Sequence, residues 1–322
     1  MSTSVTDAVM VPLERALPDR VVRDAPSAEF TTYRCGGPLS VFVRLEDEHD
    51  VLVLAEVLRD HPDVPTLVVG RGSNLLVADE GFPGVALVLA GALDDVELHR
   101  DRSRVTAGGA VALPVLARRA GGAGIAGLEF YVGIPGSVGG AVRMNAGGHG
   151  RETRDVLQRA RVVDLVRAEV TDRPVDTLDL GYRRSNLGAR HVVVLAEFDG
   201  HADEPEVCER RISAIVRWRR EHQPGGSNAG SVFTNPSGDA AGRLIEQAGL
   251  KGFRIGGATV SEKHANFFVA APGARAADVH TLVGEVQRRV AEHSGVVLHP
   301  ELHMVGFGTD PAPGTTAPED TP

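Results

Sequence analysis

Apolar positions along this chain alternate between two periods. Behind Asp47, a residue type that caps helix N-termini, Val51, Leu52, Leu54, Ala55 and Leu58 recur at helical spacing and predict a helix to about residue 59. Short apolar runs bounded by turn residues predict strands over 40–45, 66–70, 75–77, 85–89, 96–99, 104–107, 156–165 and 192–198. Between them, residues 113–120 have a helical pattern with Pro114 in the first turn. Helices dominate after residue 200. One covers 206–220, with Ile212, Ile215 and Val216 on one face; a second covers 240–248 and closes at Gly249; a third covers 274–293. A strand is expected at 267–270 and a strand-like segment at 296–305, with Glu301 inside it.

This order predicts an α+β chain of two domains. The composition shifts at Gly200-His201-Ala202-Asp203-Glu204-Pro205, which sets the boundary: a first domain over 25–201 and a second over 202–308. Residues 1–24 are expected to be flexible, and the Pro-, Thr- and acid-rich residues 309–322 disordered.

The densest chemical signal is the stretch Gly133-Ile134-Pro135-Gly136-Ser137-Val138-Gly139-Gly140-Ala141-Val142-Arg143-Met144-Asn145-Ala146-Gly147-Gly148, in which six of sixteen residues are glycine with apolar residues threaded between. Glycines at this density let backbone N–H groups approach a ligand, and successive N–H groups form a concavity for an anion such as phosphate. A short helix opening at Ser137 would add its N-terminal dipole. A tight turn between core elements is the plain alternative. Gly70-Arg71-Gly72-Ser73-Asn74-Leu75 begins like a Rossmann fingerprint but lacks the third glycine and runs into a strand, so a plain Rossmann domain is disfavoured. Its N–H groups, with Ser73 and Asn74, remain candidates for holding phosphate.

Composition narrows the function. At 322 residues and net charge −9, with no Lys/Arg cluster interleaved with aromatics, nucleic-acid binding is not expected. Cys35 and Cys208 are too few for a disulfide framework, no His spacing suits a metal, and residues 1–24 hold no apolar signal core. No run is long enough for membrane insertion. A cytoplasmic protein, monomeric or weakly oligomeric, is expected.

Four polar residues fall in segments otherwise buried or glycine-lined: Arg183, Ser231, Asn235 and Glu301. Each has an ordinary reading as a turn or surface residue, and spacing alone does not bring them together. The segments that carry them do recur together. Gly70–Val77, the Gly133–Gly148 loop, Gly181-Tyr182-Arg183-Arg184-Ser185, Gly230-Ser231-Val232-Phe233-Thr234-Asn235-Pro236, Val260-Ser261-Glu262-Lys263-His264-Ala265-Asn266-Phe267 and Pro300-Glu301-Leu302 follow one another in the order of the UDP-N-acetylenolpyruvoylglucosamine reductases, the MurB family. The chain resembles that family over about residues 30 to 307.

The resemblance implies an FAD-binding domain of the vanillyl-alcohol-oxidase (PCMH) type, with a C-terminal α+β domain whose last strand returns to it. It implies NADPH-dependent, FAD-mediated reduction of UDP-N-acetylglucosamine-enolpyruvate to UDP-N-acetylmuramate, a step of peptidoglycan precursor synthesis. By position, the resemblance places Gly70, Arg71, Gly72, Ser73, Asn74, Leu75, Gly133, Ile134, Pro135, Gly136, Ser137, Gly139, Gly140 and Asn145 at the cofactor. Arg183 and Glu301 match the pair that polarises the substrate carboxylate, and Ser231 matches the proton donor. Tyr182 and Asn235 match the substrate side, with His264 placed beside them, and Arg219, Arg220 or Lys263 would meet the substrate's diphosphate charge. Thr234 and His222 depart from the family's usual lysines, and the short 182–231 interval resembles members without the Tyr-bearing loop. An FAD-linked oxidase on the same cofactor fold is the alternative; a colourless UDP-sugar-binding protein and a serine hydrolase are weaker rivals.

Overall fold

A four-stranded sheet, a five-stranded sheet and a helical C-terminal layer make up the computed structural model, which describes residues 5–308. The tail over 309–322, where disorder is expected, lies outside the described residues.

The first sheet has the order β1 (Val21–Pro26), β2 (Pro38–Leu45), β5 (Phe82–Leu89), β3 (Thr66–Val69). β1 runs antiparallel to β2, while β2 and β3 flank β5 in parallel. Helix α2 (Glu48–Arg59) makes the β2-to-β3 crossover, and Asp47 caps it as expected, accepting from the Asp50 N–H at 2.8 Å. α2 buries Val51, Leu54, Ala55 and Leu58 against Val41, Val43, Val85 and Leu87.

The N-terminus departs from expectation. Residues 5–16 form helix α1 (Val5–Ala16), and Val9, Met10, Leu13 and Leu17 are buried in the same core. These four share one helical face. Fully burying each such side chain is worth about 1.5–3 kcal/mol, which together outweighs the roughly 3 kcal/mol that an interior proline (Pro12) costs.

The second sheet is antiparallel: Glu169–Pro174, Leu157–Asp164, His191–Asp199, β7 (Arg104–Gly108), β6 (Val96–His99). The strand Glu169–Pro174 was not evident in the sequence, because four of its six residues are charged or polar and it edges the sheet. Helices α3 (Leu113–Gly122) and α4 (Val138–Met144) share this core with Tyr131 and Phe198. α5 (Pro205–His222), expected to open the second domain, also packs here: Cys208 and Ile212 lie at Gly121 of α3, where a Cβ would meet both at 3.1 Å. The composition shift therefore marks a surface connection, and the C-terminal core begins beyond α5.

That core gathers Ala229, Val232 and Phe233 with α6 (Ala241–Gln247), α7 (Ala276–Ser294) and the strands Ala258–Val260 and Phe268–Ala270. Only His303–Val305 of the strand-like tail is strand, and it pairs in parallel with β4 (Leu75–Val77). Asp79, just past β4, accepts from the Ala276 and Ala277 N–H groups at 2.9 and 3.1 Å and so caps α7 from the other half of the chain.

Candidate functional site

A cavity of about 470 Å³ opens between the two sheets. One wall is Val68, Val88 and the stacked pair Phe30–Phe42, whose centroids are 4.3 Å apart. The other carries Gly109, Ser137, Gly139, Gly140 and Arg143. The two glycine-rich segments thus face one space: Gly70 and Arg71 from the first, Ser137, Gly139 and Gly140 from the second. They touch where a Cβ on Gly70 would come within 2.6 Å of Ser137 Oγ.

The first loop keeps its donors available. No acceptor within the protein is found for the backbone N–H groups of Arg71, Gly72 and Ser73 among the described residues. Gly72 stands at φ +60° with Phe30 O where a Cβ would be, so only glycine fits. Leu75 is not aimed at a ligand; its side chain lies in the core of β4.

The second loop differs from expectation. α4 does open at Ser137, which accepts from the Gly140 N–H at 3.3 Å, but Val138 and Gly139 donate to Val111 O and Gly109 O, each at 2.9 Å. The first N–H groups of this helix hold the loop to its own sheet and leave no anion cradle. Gly133 has His149 Nε2 2.8 Å from where its Cβ would be, Pro135 is exposed, and Ile134 packs against the core of the second sheet. Gly136 also faces the first loop, its missing Cβ 3.8 Å from Ser73 Oγ.

Asn145, expected at the cofactor, is fully buried, and both its amide atoms have protein partners. Its Nδ2 donates to Glu152 Oε2 and Gly181 O, each at 2.9 Å, and its Oδ1 accepts from the Arg154 N–H. It braces the turn that carries Arg183. In that turn, closed by bonds between Gly181 and Arg184, Arg183 is held at φ +56°. A non-glycine residue there signals a conformation imposed by its surroundings.

Arg183 and Glu301, 118 positions apart in the sequence, meet: Nε lies 2.7 Å from Oε1. The contact is an ion pair whose Nε–H is not aligned on the carboxylate as a hydrogen bond. Arg183 also donates from Nη2 to Gly147 O at 3.4 Å. Burial pushes the Glu301 carboxyl above its ordinary range; the Arg183 charge opposes the shift without reversing it. The Glu301 backbone is held from both sides. Its N–H donates to Val232 O at 2.7 Å, next to half-buried Ser231, and its carbonyl accepts from Asn74 Nδ2 at 2.9 Å. The Asn266 side chain fixes that neighbourhood by exchanging two bonds with the Phe233 backbone.

The expected substrate-side residues are less concentrated. Tyr182 is half-exposed, and its hydroxyl accepts from the Asn235 N–H at 3.5 Å. Asn235 Oδ1 accepts from the Ala241 N–H, capping α6. Arg219, half-buried, donates to Gln223; burial, with the Arg219 charge adding to it, lowers the pKa of His149, which sits on the hairpin beside Gly147. Lys263 donates from Nζ to Arg220 O, and His264 Nδ1 accepts from the Asn266 N–H, so both serve local structure. Thr234 and His222 bond to His299 O and Trp218 O. Two residues went unrecognised in the sequence: Arg143, the only charge in the Gly133–Gly148 stretch, which was itself the signal, and Asn266, read only as part of a motif.

A cavity between two sheets, with free N–H groups at one edge and a cation inside, fits an extended ligand bearing phosphate. The comparisons agree. The FAD binding domain family matches residues 39–172, and the UDP-N-acetylenolpyruvoylglucosamine reductase C-terminal domain family matches residues 222–305, beginning where α5 ends. The chain is 42% identical over 292 residues to the UDP-N-acetylenolpyruvoylglucosamine reductase of Paramagnetospirillum magneticum, covering 90% of this chain and 94% of that one. It is 42% identical over 300 residues to that of Heliobacterium modesticaldum, covering 92% and 94%. Its structure resembles that of UDP-N-acetylenolpyruvylglucosamine reductase (MurB) from Thermus caldophilus with a TM-score of 0.74 and 36% identity, covering 88% and 97%.

Proposed function

Because this chain belongs to the UDP-N-acetylenolpyruvoylglucosamine reductase family and holds both of its domains, we propose that Arg183, Glu301 and Ser231 carry the chemistry of that reduction here. The enzyme is a flavin-dependent reductase that uses NADPH to convert UDP-N-acetylglucosamine-enolpyruvate to UDP-N-acetylmuramate. The match of the C-terminal domain speaks against the oxidase alternative. When bound, FAD would supply the two-electron hydride chemistry that links NADPH to the enolpyruvyl double bond. The residues that would hold it are the turn 70–73, through the free backbone N–H groups of 71–73, and the wall formed by Gly139 and Gly140.

The protein's part is to stabilise charge and deliver a proton. As the double bond is reduced, negative charge gathers on the adjacent carbon and its carboxylate. Arg183 supplies charge-assisted donors to that carboxylate, including an Nε–H that no protein acceptor aligns. Glu301 acts as an acid, donating a hydrogen bond, and its raised pKa favours that form. Ser231, one residue from the Val232 carbonyl that fixes Glu301, gives the proton to the carbon. Tyr182, Asn235 and Arg219 hold the UDP-sugar. Lys263 and His264 support the loop beside it. We place the reaction in peptidoglycan precursor synthesis, in the cytoplasm, carried out by a monomer or weak oligomer; among the described residues no helix is long and apolar enough to cross a membrane.

The Arg183–Glu301 contact carries this reading. An anaerobic flavin-absorbance trace tests it: NADPH is expected to bleach the oxidised band, and the enolpyruvyl substrate to restore it. Ser231→Ala is expected to leave the bleaching nearly intact and to slow the recovery about 10²–10⁴-fold. Equal slowing of both phases would remove Ser231 as the proton donor. The recovery rate is expected to fall as pH rises through the Glu301 pKa, since the acid form is the active one, and Glu301→Gln to lose that dependence.

A further inference from the structure

Helix α4 directs its first N–H groups at Val111, Gly109 and Ser137, so the second glycine-rich segment offers the cofactor's diphosphate little backbone charge. One turn further along, a full cation faces the cavity. Arg143 lines it beside Gly139, Gly140 and His191. Among the described residues no carboxylate lies within 4.0 Å of its guanidinium, and its one side-chain hydrogen bond is the long contact from Nη1 to Gly188 O at 3.5 Å. Of the other arginines that line the cavity, Arg44 pairs with Glu46, while Arg71 is exposed and, among the described residues, also has no carboxylate partner; Arg143 is the more buried of the two unpaired cations. Burial lowers the Arg143 pKa with no neighbouring acid to raise it. His191 offers no negative charge, since its Nδ1 accepts from the Gly188 N–H at 2.9 Å and burial and nearby arginines keep it neutral.

A cation withdrawn from water without a counter-charge is costly, and the cost is relieved when an anion enters the same space. Arg143 also differs from the free N–H groups of residues 71–73 in kind. Backbone dipoles orient an anion, whereas a guanidinium adds net charge and up to five donors in a fork that matches phosphate oxygens.

We propose that Arg143 is the anion anchor of the cavity, its guanidinium binding the diphosphate of the dinucleotide cofactor together with the free N–H groups of the 71–73 turn. The inference rests on the cavity being the FAD site. FAD-free protein titrated with FAD and followed by quenching of flavin fluorescence tests it. Arg143→Met is expected to weaken FAD binding about 10- to 100-fold, the worth of a hydrogen bond to a charged group, and Arg143→Lys to recover part of the loss. Affinity in Arg143→Met should also fall less steeply with added salt than in the wild type, because a screened charge–charge attraction has been removed. Melting of the FAD-free variants near the wild-type temperature accompanies the expected result. Unchanged FAD affinity in Arg143→Met overturns the anchor. So does a loss that Lys leaves unrelieved while the salt dependence stays wild-type, which would make Arg143 a packing residue. Wild-type protein that takes up no FAD would sink the cofactor reading itself, and the anchor with it.

Discussion

The two glycine-rich segments look interchangeable as sequence and behave as opposites in the fold. Among the described residues, the N–H groups of Arg71, Gly72 and Ser73 in the first segment are left without protein acceptors, and Gly72 is there because any side chain would strike Phe30. The 133–148 segment turns its N–H groups inward onto the Gly109 and Val111 carbonyls, so its glycines serve close packing. Glycine density therefore marks close backbone approach and leaves open what is approached. The segments are alike in one respect. Each carries an asparagine that braces the backbone around one member of the Arg183–Glu301 ion pair: Asn74 holds the Glu301 carbonyl, and Asn145 holds Gly181 in the Arg183 turn. The glycine-rich segments and the Arg183–Glu301 pair are thus parts of one hydrogen-bonded frame.

The contrast can be broken most directly at Gly72. Gly72→Ala should abolish tight FAD loading, read as colourless protein after purification, because the loop must move to clear Phe30. A yellow, fully loaded variant would mean the first loop is not the cradle. Next in size comes Asn145→Ala, which strips three hydrogen bonds from a fully buried site. It should cost about 3 kcal/mol of stability in denaturant unfolding, with partners left unsatisfied. Asn74→Ala should act more gently, slowing flavin reoxidation about tenfold through Glu301 while bleaching by NADPH keeps its rate. A change confined to bleaching would break the link to Glu301. Smallest is Ser137→Ala, a lost helix cap worth about 1 kcal/mol in thermal melting with little change in FAD affinity. If FAD affinity fell instead, Ser137 would be a ligand after all.

Much of the fold was legible. The α2 cap, the β3 and β5 runs and the Gly249 stop depend on neighbours a few residues away, and local pattern states them. Helix α1 has a local signal too: Val9, Leu13 and Leu17 keep helical spacing, but charged neighbours and Pro12 interrupt it. The edge strand Glu169–Pro174 was not legible, since a strand exposed on its face and at the sheet edge carries no apolar alternation. For the site, the residues were recognisable by motif, but their duties were not. Asn145, Lys263 and His264 match the family's segments and yet bond to this protein's own backbone.

By itself the sequence determined the local elements, the family and the residue types available for chemistry, because these follow from spacing and from side-chain identity. Only the tertiary structure decided that Arg183 and Glu301 form a pair, that α5 packs with the first half of the chain, and that Arg143 faces the cavity without a counter-ion. Each of these depends on contacts between distant positions, on burial that shifts a charge, or on which N–H groups are already bonded. Such facts arise when elements pack, and no window of neighbouring residues contains them.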